Sequence, residues 1–235
     1  PAQAGSYHPL PAPARGRALH NRFVGNWLLW GAGAGWYGRA QNGGELLAAN
    51  VTRPRHVTRM SLDHGVERIE AMGRHAMAVG NGKRDLFFTS VELGDWPRVR
   101  STHVRKNAAQ GETRSHGFFF LPGRDGGGTL GLPVRRRGRP GRHLTHGSAE
   151  VVFLDVDSEL KLSPMGALAA HSTGANDRCV VSCVDWYGNA RPIFFRGRVF
   201  ALMGYELVEG ELREGKLVER SRINYLNPRL ARLWR

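Results

Sequence analysis

Short apolar runs, each bounded by glycine, proline or asparagine, recur from residue 22 almost to the end of this 235-residue chain. Runs of four to eight residues between turn-forming residues have the length of strands. The best helical alternative, residues 165–170, would make only about one and a half turns, which is too short to be stable without packing. The pattern therefore predicts an all-β protein.

The runs fall into four units of roughly 45 residues, which is the spacing of a structural repeat. Asn81-Gly82 in the second unit predicts a tight hairpin turn, because both residues tolerate positive φ angles. Arg196-Gly197 and Glu209-Gly210 predict further turns in the fourth unit. The predicted strands are 23–30, 46–51 and 56–62 in the first unit; 66–72, 76–79, 86–93 and 99–104 in the second; 117–121, 130–134, 149–156 and 160–168 in the third; and 180–186, 192–195, 199–208 and 212–221 in the fourth.

Four-stranded units at this period are typical of β-propeller blades. One four-stranded sheet cannot bury both of its faces, so neighbouring blades must stack. We predict a partial β-propeller of about four antiparallel blades over residues 19–225, with a flexible lead-in at 1–18 and a tail at 226–235. A ring that begins upstream of Pro1 would have more blades. A β-sandwich or barrel is the competing architecture, because it shares the short strands but not the period.

Hydrophobic residues make up 41% of the chain, which is enough for a real core. No apolar run approaches the roughly 18 residues that a membrane-spanning helix needs, so we predict no transmembrane segment. The sequence opens at Pro1 without a charged and then apolar leader. We expect any export signal to have been removed or to lie outside this sequence.

The formal charge of +14 raises the possibility of a polyanionic partner. Most of the 34 basic residues are scattered along the chain, and only residues 135–142 concentrate them. This stretch contains the Arg-Gly-Arg-Pro core of peptides that bind the DNA minor groove. A basic Gly/Pro-rich segment between two strands is more often a solvated loop, so we do not expect a nucleic-acid partner. The candidate polyanion-binding residues are Arg135, Arg136, Arg137, Arg139 and Arg142.

No catalytic residue, metal site or cofactor is predicted. Ser115 and His116 are adjacent, but no acid is tied to them by spacing, so a structural role is preferred. Asp155, Asp157 and Glu159 alternate as if along one strand face, yet the glycine and further ligands of a calcium loop are absent. We interpret them as a solvated strand face.

Cys179 and Cys183 are the only cysteines. In one extended strand they would lie roughly 13 Å apart, so a disulfide would require a turn or bulge between them. Their spacing does not match the Cys-x-x-Cys of redox enzymes. Whether they form a disulfide stays open.

Four stretches resemble a known family. They are residues 66–73 (VERIEAMG), 110–120 (QGETRSHGFFF), 130–134 (LGLPV) and 184–194 (VDWYGNARPIF). They resemble bacterial secreted proteins with a C-terminal β-propeller domain that is distantly related to WD repeats. The resemblance implies a propeller fold and an exported location, which is periplasmic, extracellular or at the cell surface. It brings no substrate and no active-site residues.

In a WD-like blade, an Asp beside a Trp commonly fixes a turn while the aromatic ring packs between blades. We therefore expect a structural role for Asp185 and Trp186. The predicted function is a non-enzymatic binding or scaffolding module with an unknown protein or glycan ligand. The alternative is a hydrolase that acts on a glycan or peptide at the propeller axis. Clustered carboxylates or a metal would favour the hydrolase, and an apolar or basic funnel would favour the binder.

Overall fold

A computed structural model describes residues 3, 5, 7–14, 16–34, 43–136, 149–171, 190–204 and 206–225, and of Arg136 it describes the backbone only. The chain divides into two compact units, Pro1–Lys106 and Asn107–Arg235. The described residues form four antiparallel sheets, each built on four consecutive strands in chain order. The all-β prediction is confirmed. The described part of the chain has no helix with the length and apolar character needed to span a bilayer.

The first unit contains two four-stranded meanders. Sheet 1 has strands β1 (Ala18–Val24), β2 (Trp27–Gly33), β3 (Gly44–Asn50) and β4 (Val57–Leu62), and sheet 2 has β5 (Arg68–Met72), β6 (His75–Gly82), β7 (Asp85–Glu92) and β8 (Arg98–Arg105).

The second unit contains the other two meanders. In sheet 3, the short strand β9 pairs with the far end of β11 beyond the part that pairs with β10. A single 3-10 turn, Ser115–Gly117, precedes β10. Sheet 3 has β9 (Ala108–Gln110), β10 (Phe119–Pro122), β11 (Gly128–Arg136), β12 (Ala149–Val156) and β13 (Leu162–Ala169), and sheet 4 has β14 (Arg191–Phe195), β15 (Arg198–Met203), β16 (Glu206–Arg213) and β17 (Lys216–Asn224).

Successive sheets cover each other's apolar faces within each unit. In the first unit, one buried cluster joins Leu29 and Leu46 of sheet 1 to Ile69 and Val91 of sheet 2. Leu29 and Leu46 face sheet 2 because neighbouring side chains along a strand point to opposite sides, so every second residue contributes to the same face. Burial of each such side chain stabilises the pair of sheets by about 1.5–3 kcal/mol.

The second unit repeats this arrangement. Phe153 and Leu168 of sheet 3 share a buried cluster with Ala201 and Val208 of sheet 4. Phe153 is fully buried and packs edge to face against Phe194, with ring centroids 6.0 Å apart. The geometry is one that aromatic pairs prefer.

The guanidinium of Arg222 also joins the two sheets of the second unit. The Nη2 atom of Arg222 on β17 donates to the carbonyl oxygen of Ala169 on β13 at 2.9 Å. Its Nη1 atom lies 2.5 Å from Oε2 of Glu206, a carboxylate that is almost fully buried. The same oxygen accepts the backbone N–H of His171. The hydrogen bonds from Arg222 to Ala169 and from His171 to Glu206 therefore tie β17 and β16 to the end of sheet 3.

The lead-in contacts the outer face of sheet 1, the face turned away from sheet 2. Trp30, Leu47 and Ala49 form a small buried cluster on this face. Trp30 donates a hydrogen bond to Pro11, and the backbone N–H of Ala14 donates to Glu45 at 3.1 Å. Two polar contacts thus hold residues 11–14 against the sheet.

Two predicted turns are wrong. Asn81 and Gly82 lie in β6, and the chain turns after them, where Lys83 has a φ of 48°. The Asn81 side chain instead donates to Glu67 at 2.7 Å, so packing outweighs its turn preference. Glu209 and Gly210 lie inside β16 at a bulge, where a residue is inserted without reversing the chain.

Strand boundaries shift accordingly. The predicted strand 23–30 is a hairpin around Gly25, whose φ is 55°. The predicted strand 199–208 contains the turn between β15 and β16, and the last hairpin turns at Glu214-Gly215 with φ angles of 50° and 74°. The Arg196-Gly197 turn is confirmed, with φ angles of 49° and 74°. The predicted strand 180–186 lies outside the described residues.

Candidate functional site

Of the binding and structural residues predicted from the sequence, only Arg135 and the backbone of Arg136 lie in the described part of the chain. Arg135 lies on β11 with an exposed side chain, and Arg136 ends that strand. The remaining predicted residues lie outside the described residues: Arg137, Arg139, Arg142, Cys179, Cys183, Asp185 and Trp186.

An acidic side chain, that of Glu112, lies beside His116. The Glu112 side chain is completely buried, and its Oε2 lies 3.3 Å from Nε2 of His116, of which one third is exposed. Its Oε1 accepts the backbone N–H of Arg114 at 2.9 Å. The expectation that no acid is tied to the Ser-His pair is therefore wrong, since Glu112 precedes His116 by four residues. The carboxylate lies beside the imidazole, and its hydrogen bond from Arg114 shapes the turn before β10.

The acidic stretch does not form the predicted strand face. Asp155 lies on β12, whereas Asp157 and Glu159 follow the strand. Asp157 Oδ1 accepts the backbone N–H groups of Glu159 and Lys161 at 2.9 and 2.8 Å, so it stabilises a turn. Burial, with the charges of Asp157 and Asp125, raises the pKa of Asp155. Among the described residues, no group of three or more His, Cys, Asp or Glu side chains could hold a metal ion.

A cluster of polar side chains in the first unit joins β1 and β5, the first strands of its two sheets. Glu70 on β5 lies 2.7 Å from Nη1 of Arg68 and 3.0 Å from Nη1 of Arg22 on β1. The Glu70 and Arg68 side chains are 7% and 4% exposed, whereas that of Arg22 is 42% exposed. We call Arg22, Arg68, Glu70 and His20 the β1/β5 cluster.

His20 lies two residues before Arg22 on β1 and shares its side of the strand. Burial lowers the pKa of His20, and the positive charge of Arg68 lowers it further. The imidazole is therefore neutral at pH 7. The cluster presents a partly exposed guanidinium beside a neutral ring, with a carboxylate behind them.

No protein-family model matches this chain, and no curated protein gives a significant match. The functional proposal therefore rests on the geometry of the described residues.

The β1/β5 cluster is not among the residues predicted from the sequence, although two sequence patterns indicate it. His20 and Arg22 alternate on one strand, and Arg68 and Glu70 alternate on another. Charged residues are rarely buried without a partner, so the pattern Arg-Ile-Glu in an apolar unit indicates an ion pair. It does not indicate that Arg22 is the second partner, because that contact joins two sheets.

Proposed function

We propose that the chain is a non-enzymatic binding or scaffolding module built as a β-propeller. The observation that carries this proposal is the face-to-face packing of consecutive four-stranded meanders within each unit. This packing is the contact that propeller blades make around their axis. The resemblance to exported bacterial proteins supports a location outside the cytoplasm. Fractionation of the source cells, with an antibody against the chain, would test this location.

The β1/β5 cluster favours binding over hydrolysis. Glycoside and peptide hydrolysis at two carboxylates requires acids that can exchange a proton. Glu70 is instead engaged by two arginines, with Arg68 at Oε1 and Arg22 at Oε2. Partly exposed arginine is a common group for recognising a charged ligand.

Two measurements on the purified chain test the proposed module. Small-angle X-ray scattering of one compact ring should give a radius of gyration of about 18 Å. A clearly larger value, or a crystal structure in which the four sheets are not arranged around one axis, would overturn the propeller. A glycan array combined with chromogenic glycosidase and peptidase substrates tests the role. We expect saturable binding without turnover, and product release would support the hydrolase instead.

A further inference from the structure

We propose that the β1/β5 cluster binds the carboxylate of an acidic sugar, such as a uronate. This proposal deepens the binding role proposed above and rests on it. It names one site, one chemical group and the residue that makes the main contact, which is Arg22.

Arg22 is only partly neutralised. Its ionic partner Glu70 lies closer to Arg68, at 2.7 Å against 3.0 Å. One carboxylate is therefore shared between two guanidiniums, and Arg22 keeps positive potential on its exposed side. Arg59 provides the contrast, because it is exposed to a similar degree, 45%, and among the described residues Glu45 forms a salt bridge with Arg59 alone.

The exposed part of Arg22 suits an oxyanion. A guanidinium presents its N–H donors as a planar fork that matches two carboxylate oxygens. The Nη1 atom lies 3.0 Å from Oε2 of Glu70, and 42% of the side chain is exposed. The remaining donors can therefore meet a ligand.

Two other features select a sugar acid. Glu70 stands behind Arg22 and repels a second negative charge, so a monoanionic carboxylate is preferred to a phosphate dianion. The neutral His20 ring lies on the same side of β1 and can donate to or accept from a sugar hydroxyl. The proposed site therefore combines one charged contact with one neutral polar contact.

The test is a titration of the full chain with glucuronate, in which the NMR signals of the His20 ring report binding. Glucuronate should shift these signals with millimolar affinity at constant ionic strength, and glucose should not. Inorganic phosphate should bind more weakly than glucuronate. Equal or tighter phosphate binding would overturn the assignment to a sugar acid.

Variants test the role of Arg22. R22Q should weaken glucuronate binding at least tenfold, R22K should weaken it less, and the matched control R59Q should change it less than twofold. Unfolding by urea checks that each variant is folded. If R22Q does not fold, R22K replaces it in the binding comparison. Unchanged binding in the folded Arg22 variants would overturn the site. If the glycan array still showed binding, the module would stand without this site.

Discussion

The indole Nε1 of Trp30 donates a hydrogen bond to the carbonyl oxygen of Pro11 at 2.9 Å, which joins the lead-in to sheet 1. We expect W30F to destabilise the chain by about 1 kcal/mol, because the half-buried carbonyl of Pro11 loses its donor. Urea unfolding measures this change. W96F is the matched control, since Trp96 is 77% exposed and its replacement should have almost no effect.

Deletion of residues 1–14 tests the same contact from the other side. If Pro11 acts through Trp30, the deletion should cost less stability in W30F than in the wild type. Equal costs in both backgrounds would show that the lead-in does not act through this hydrogen bond.

The buried ion pair of the second unit leads to a second prediction. R222M should destabilise the chain by about 3 kcal/mol, because the almost fully buried Glu206 loses its ionic partner. The double variant R222M/E206L should recover much of this loss. R213M is the control, since the Arg213 side chain is 71% exposed and its pair with Glu211 contributes less than about 1 kcal/mol. A single R222M variant as stable as R213M would contradict the role of Arg222 in joining the sheets.

A third prediction concerns a close approach of two backbone segments. A Cβ atom at Gly80 would lie 1.6 Å from the carbonyl oxygen of Gly65. G80A should therefore destabilise the chain by about 1–3 kcal/mol or more, because the backbone must move. G94A is the control, since nothing lies within 4 Å of its added methyl group. Thermal unfolding compares the two variants, and equal melting temperatures would contradict the close contact.

Strand positions follow from local patterns more reliably than turns do. The predicted strands 86–93 and 149–156 match β7 and β12 within a residue, because β-branched and aromatic residues are concentrated in them. Strand β1 is less visible in the sequence, since His20 and Arg22 interrupt its apolar pattern. The misplaced turns at 81–82 and 209–210 have a common cause. Asn81 and Glu209 are held by partners on other segments, and these partners outweigh local turn preference.

The candidate site was less predictable than the fold. Arg68 and Glu70 are near neighbours in sequence, but the contact between Arg22 and Glu70 depends on how β1 meets β5. The pairing of Glu112 with His116 has the four-residue spacing of a helical turn, but no predicted element covers residues 105–116, so the spacing alone did not indicate a contact.

The fourth prediction concerns acid and Glu209. Hydrogen bonds from Arg198, together with a weaker effect of the hydrogen bond from Ser221, lower the pKa of Glu209 to about 2. Because the folded pKa lies below the unfolded value, Glu209 stabilises the fold above about pH 4.5, and this contribution is lost as the pH falls toward 2. The difference in unfolding free energy between wild type and E209Q should shrink over this range. A difference that stays constant between pH 5 and pH 2 would contradict the prediction.

The fifth prediction concerns His64, which is fully buried between the sheets of the first unit. Its Nδ1 lies 2.8 Å from the carbonyl oxygen of Gly65, and its Nε2 lies 2.9 Å from the hydroxyl of Thr89. The pKa of His64 is lowered mainly by burial, and the hydrogen bond to Gly65 and the charge of Asp63 offset this only in part. The unfolded chain therefore takes up a proton near pH 6.5 that the folded chain resists, and stability falls as the pH drops below that value. H64Q should cost stability at pH 8, and its disadvantage should narrow at pH 5.5, as measured by urea unfolding at both values. A disadvantage that widens in acid would mean that protonated His64 is stabilised in the folded chain.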